Sequence, residues 1–248
     1  MKRAFTLTEI LIYAGLALVA GVILASVIKL SNSTRQATSS SYLVSGSTET
    51  AISWLRRDIN ETALTSIQVY PNADISSEAP GLSLVSARAY DPALKNQLLV
   101  NPWGAPRWDK FVFYTLETNG EQTGDLVRWE RNMPNKNYLP AFADMLPGTL
   151  AEAAHRRVLL SHVLAPEQTV EGVGPEGSVV TDAFGGFRAQ FVARQGGSGG
   201  AEYLTTRNPR RGDPHDNTRL LEVELKLLHS GQRHPDYYAI KFRSAARY

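Results

Sequence analysis

RAFTLTEILIYAGLALVAGVILASVI, residues 3–28, is the stretch on which the reading of this chain turns. Lys2 and Arg3 give it a basic start, and Glu9 is its only acid. From Ile10 to Ile28 nineteen consecutive residues carry no charge. Wound as a helix rising about 1.5 Å per residue, such a run matches the roughly 30 Å apolar core of a bilayer. The expectation is a helix whose first half, residues 5–30, spans a membrane. A secretory signal has a shorter apolar region, about 7–15 residues, followed by a small-residue cleavage site. Here a carboxylate stands ahead of the apolar run instead.

The order basic leader, small residue, Phe5-Thr6-Leu7-Thr8-Glu9-Ile10, apolar run resembles the N-terminus of type IV prepilins and of the pseudopilins of type II secretion. The resemblance implies a leader of residues 1–4, removed between Ala4 and Phe5 by a prepilin peptidase that then N-methylates Phe5. It implies that Glu9 docks the subunit in a filament. It also implies a single-pass protein of the cytoplasmic (inner) membrane, its C-terminal domain extracytoplasmic, incorporated into a pilus or pseudopilus. The partners implied are the peptidase, other pilin or pseudopilin subunits and the inner membrane. Two departures stand: Ala4 occupies the place where the family usually has Gly, and no Pro precedes Pro71, whereas major pilins often carry one in the membrane helix.

Glu9 has its own physical logic. A carboxylate at the apolar edge of a membrane costs about 2–3 kcal/mol or more unless it is neutralised. The new amine of Phe5 in a neighbouring subunit is a suitable partner, and burying the two together penalises misregister. The plainer reading is an acid at a helix N-terminus, which the macrodipole favours by about 0.3–1 kcal/mol.

Working outward, residues 31–69 are expected to continue the helix outside the membrane. They begin rich in Ser and Thr, then carry an apolar stripe of Ile52, Leu55, Ile59 and Ala63 that asks for a sheet to cover it. Trp54-Leu55-Arg56-Arg57-Asp58-Ile59 marks where that helix would dock, and Arg56, Arg57 and Asp58 read as its solvated face. Residues 70–248 are expected to form a β-rich head. Turn formers dominate Pro71 to Lys110, with a short strand at Leu82 to Val85. Phe111–Leu116 and Asp125–Trp129 then flank the hairpin signal Asn119-Gly120. Strict alternation at Phe187–Ala193, Leu221–Leu227 and Tyr238–Phe242 predicts three half-buried strands. Leu150–Leu164 reads equally as a helix or as a helix breaking into a strand. The fold class expected is α+β: a pilin-like fold, a long N-terminal helix packed on an antiparallel β-sheet domain.

Composition sets the bounds. The 248 residues are 43% hydrophobic, enough for one anchor and one domain with a core. Net charge is +2 and falls to zero when Lys2 and Arg3 leave with the leader, so no nucleic acid is expected as partner. The absence of cysteine removes disulfides and thiolate chemistry. His155, His162, His215, His229 and His234 lack metal-ligand spacing, and no nucleophile elbow or phosphate loop occurs. No catalytic residue, metal or cofactor is therefore expected, and the chain is read as no enzyme. The polar loop from Arg207 to Asn217 reads as solvated.

Within the prepilin family the order of Tyr114-x-Leu116, Leu126-x-Arg128, Leu159-Leu160-x-x-Val163 and Leu221–Leu227 is similar to that of J-type minor pseudopilins and W-type minor pilins. The function implied is a minor subunit that initiates or caps a type IV pilus-like or type II secretion filament. The alternative is a membrane-tethered extracytoplasmic module that binds DNA or a secreted substrate outside any filament.

Overall fold

The computed structural model describes residues 18, 21–22, 24–26, 28–29, 46–70, 80–118, 122–134, 136, 155–166, 168–170, 180–182, 185–194, 201–206, 220–230 and 235–247. The chain divides into two compact units, Met1–Gly46 and Ser47–Tyr248. In the first, the described residues between 18 and 29 are helical and exposed, and Ser26 Oγ donates back to the Val22 carbonyl over 2.9 Å.

The second unit is built from sheet. Helix α1, residues 46–60, enters it with Ala51, Leu55 and Ile59 fully buried. Beyond the helix, Thr62 Oγ1 donates to the Val85 carbonyl over 2.7 Å and Ser66 Oγ to that of Ala63 over 2.8 Å. These bonds take up carbonyls as the chain leaves helical geometry and turns into β1 (Gln68–Tyr70). There follow β2 (Gly81–Ser86), β3 (Lys110–Thr118), β4 (Thr123–Asn132), β5 (His155–Leu164), β6 (Gln168–Val170), β7 (Val180–Asp182), β8 (Phe187–Arg194), β9 (Glu202–Thr205), β10 (Leu220–Ser230) and β11 (Pro235–Ala245). Nine of these form one antiparallel sheet in the order β1-β2-β3-β4-β5-β10-β8-β9, with β11 on β10, while β6 and β7 pair separately.

Two irregularities shape this sheet. On β5 the register against β4 slips twice, so that Leu126 faces Leu160 and Val127 faces Val158. Extra residues on β5 bend it and bring Leu159 and Leu160 in sequence into the core; His162 there takes φ 62°. That bulging explains why 150–164 shows no clean period in sequence. The second irregularity is on β10, which pairs along its length with β11 and shares its other edge between β8 and β5. At the junction Gly186 N–H donates to the Leu164 carbonyl over 2.6 Å, and its own carbonyl accepts from Lys226 N–H over 2.7 Å. A Cβ on Gly186 would collide with the Lys226 carbonyl oxygen, and Gly185 beside it has φ 70°.

These observations correct the expected architecture. Among the described residues no helix is long and apolar enough to cross a membrane. The helix that packs on the sheet is short, and the fold is mostly antiparallel β rather than a pilin-like α+β arrangement with a long, half-transmembrane N-terminal helix. The single-pass inner-membrane location with an extracytoplasmic C-terminal domain is overturned with it. The physical reason for the sheet's dominance is where apolar side chains are buried: most buried ones sit on mutually paired strands, and α1 contributes only Ala51, Leu55 and Ile59. Residues 1–17, with Ala4, Phe5 and Glu9, lie outside the described residues, as do residues 196–200 and 207–217.

Candidate functional site

Alternation on β3 sends Phe111 and Phe113 to one face, into a cluster with Ala63, Val85, Ala87, Trp108 and Met133. It sends Lys110 and Tyr114 to the other. Register then carries a polar strip across three strands of that face. Tyr114 lies opposite Arg128, which lies opposite Arg157; Glu130 lies opposite His155. Directly opposed side chains on neighbouring strands meet, so pairing alone assembles this strip.

Asp58, in the last turn of α1, closes it. Its carboxylate accepts from Tyr114 Oη over 2.7 Å, from Arg128 Nε over 2.8 Å and from Arg57 Nε over 3.1 Å. Arg128 Nη2 also stands 2.8 Å from the same Asp58 oxygen as an ion pair, but without an angle that makes a hydrogen bond. Glu130 receives Arg128 Nη1 and Lys110 Nζ, the latter over 2.8 Å, and Lys110 also donates to Asn96 Oδ1 over 3.0 Å. Asp58, Tyr114, Lys110 and Arg128 are all buried. Arg57 and Asp58 are thus not a solvated face: the helix docks through them, as an ion pair that the sequence position alone does not betray. Arg56 stays exposed, its guanidinium 5.0 Å from the Phe242 ring centroid.

Burial works against ionisation of Asp58. Arg128, then Arg57 and the Tyr114 hydroxyl outweigh it and hold the carboxyl below its ordinary value. Glu130 follows the same balance, with burial opposed chiefly by Arg128. Burial pushes the Lys110 ammonium down against the pull of Glu130, and it pushes the Tyr114 phenol well up, Asp58 adding to the effect. Arg128 is shifted upward: burial disfavours its charge, but Asp58 and the neighbouring groups more than compensate. The site therefore pairs the carboxylates of Asp58 and Glu130 with Arg57, Arg128 and Lys110, and keeps the Tyr114 phenol neutral at neutral pH.

One turn before Asp58, Trp54 lies among three guanidinium groups, those of Arg57, Arg128 and Arg157, at 3.8, 4.8 and 4.8 Å from its ring. Beside it opens a cavity of about 380 Å³, lined by Trp54, Tyr90, Arg128, His155 and Arg157 among others. Tyr90 and His155 meet along part of its wall in a tilted contact, with ring centroids 5.0 Å apart and 44° between the planes. Among the described residues the arrangement has donors and aromatic surface in quantity and no activated nucleophile. Chemically it is suited to holding a ligand.

Of the residues singled out from sequence, the site contains Trp54, Arg57, Asp58, Tyr114, Arg128 and His155. Glu130, Lys110, Arg157 and Tyr90 were missed. Lys110 and Glu130 sit on strands whose flanks read as ordinary alternation, and only the cross-strand register shows that they meet. Arg157 lies in the bulged segment whose period was unreadable. Among the described residues no cluster of His, Cys, Asp and Glu could hold a metal ion. Comparison with known proteins adds no relative: no family model, no curated protein and no solved structure matches this chain.

Proposed function

We propose that the chain is a minor subunit, of the pilin or pseudopilin kind, that initiates or caps a pilus-like or secretion-type filament. The observation that carries this reading is Ala4-Phe5-Thr6-Leu7-Thr8-Glu9 placed between a basic leader and nineteen uncharged residues. In this reading a prepilin peptidase cuts before Phe5, and Glu9 pairs with the exposed amine of a neighbouring subunit. The separate compact unit Ser47–Tyr248 supports it as a head that a filament end can carry. The chain then works by docking and does no chemistry.

Two measurements test this. Intact mass of the protein recovered from cells that express a prepilin peptidase is expected to correspond to a chain beginning at methylated Phe5; a chain still beginning at Met1 sinks the processing claim. Glu9→Ala is expected to leave cleavage intact and to abolish recovery with sheared filaments, because breaking a buried ion pair costs about 3–5 kcal/mol. Undiminished recovery would remove the docking role from Glu9, whereas absence of the wild-type chain from sheared filaments would favour the second reading, a binding module outside any filament, for which the cavity beside Trp54 is the supporting observation.

A further inference from the structure

We infer that the cavity between α1 and the β4–β5 strip is a binding site for a carboxylate carried on an apolar or aromatic body. Charge favours an anion. Around the cavity Arg57 and Arg128 are paired with Asp58 and Glu130, Lys110 is paired with Glu130, and Arg156 with Glu117. Asp91 also lines it, its carboxylate capping the Ala93 N–H over 2.9 Å. Of the residues that line it, Lys110, Arg128, Arg156 and Arg157 are basic and Asp91 and Glu130 acidic, so the wall favours an anion. Trp54, Tyr90 and Pro92 on the same wall favour an organic carboxylate over inorganic phosphate.

Geometry says where the anion sits. Arg157 has no carboxylate partner among the described residues; its guanidinium is exposed and held in orientation by the Trp54 ring. A stacked guanidinium keeps its N–H edge free, and that edge matches two carboxylate oxygens. Arg128 lines the same cavity and adds positive charge to its wall, although its guanidinium is shared with Asp58 and Glu130. Trp54, Tyr90 and Pro92 supply apolar surface for the rest of the molecule, and about 380 Å³ admits a ligand of one ring or one side chain. A free aromatic acid and the glutamate side chain of a docked peptide share this chemistry. The site does not depend on the filament reading.

The test is calorimetric titration of the full-length chain with benzoate and, in a second arm, with a short glutamate-containing peptide acetylated at its N-terminus and amidated at its C-terminus. Saturable one-to-one binding is expected in at least one arm, and the tighter arm identifies the source. Arg157→Met keeps the stem over Trp54 and removes the charge; because the residue is exposed, the fold should survive, as circular dichroism will check. Affinity is expected to fall at least about tenfold, the usual scale for a lost charged hydrogen bond. Arg157→Lys should recover part of it, since charge returns without the planar fork. No saturable binding in either arm, equal affinity of Arg157→Met, or equally tight binding of inorganic phosphate would each overturn the assignment.

Discussion

Asp58 shows what one residue does when a helix docks on a sheet. Its carboxylate is buried against Arg128, Arg57 and Tyr114, and removing its charge strands Arg128 in the interior. Asp58→Asn is expected to cost about 3–5 kcal/mol, read from urea denaturation midpoints, while the double change Asp58→Leu with Arg128→Met should recover much of that loss. The pH dependence has a defined sign. Asp58 and Glu130 have folded pKa values below their ordinary ones, so their stabilisation is complete above the ordinary carboxylate pKa values of about 4 and drains as pH falls through the lower folded values. Stability should therefore fall as pH drops below about 4. The drop should be smaller in Asp58→Asn; an equal drop in that variant would show that other carboxylates dominate.

Among elements, the junction of β5, β8 and β10 is the place where three strands must meet on one edge. Gly186 bridges Leu164 and Lys226 there through its own backbone, and a methyl group would occupy the space of the Lys226 carbonyl. Gly104 makes a useful contrast: its φ is 79°, yet nothing lies within 4 Å of a Cβ placed on it. Gly104→Ala is expected to cost only the left-handed backbone penalty of about 1–2 kcal/mol. Gly186→Ala carries no such backbone penalty but must push two strands apart, and its cost should clearly exceed that of Gly104→Ala. Thermal melts of the two variants side by side check the order; equal melting temperatures would mean that β10 tolerates separation from β5.

At the scale of the whole molecule, Ser47–Tyr248 carries the sheet, α1 and the cavity as one compact unit. A chain beginning at Ser47 is expected to melt cooperatively with a mixed helix and strand spectrum, because the buried residues of α1 and of the sheet all lie within it. Melting without cooperativity would place part of the core before Ser47. Acid sensitivity of this shorter chain should match that of the full length, since Asp58, Arg128 and Glu130 are all retained.

Much of the strand pattern was legible in sequence because alternation is a local property: Phe111–Leu116, Phe187–Ala193 and Leu221–Leu227 announce which side chains face inward whatever they pair with. Leu55 and Ile59 announced the buried stripe of α1 in the same way. The N-terminal signature is likewise a property of sequence, and the filament reading rests on it. What sequence could not determine was anything that depends on register. Two slips on β5 hid its period, and only strand pairing brings Arg157 opposite Arg128 and His155 opposite Glu130. Asp58 looked like one more exposed acid among arginines until Tyr114 and Arg128, 56 and 70 residues further on, closed over it. Local pattern specifies a face; tertiary pairing alone decides which charges on that face find one another, and with them the docked helix and its cavity.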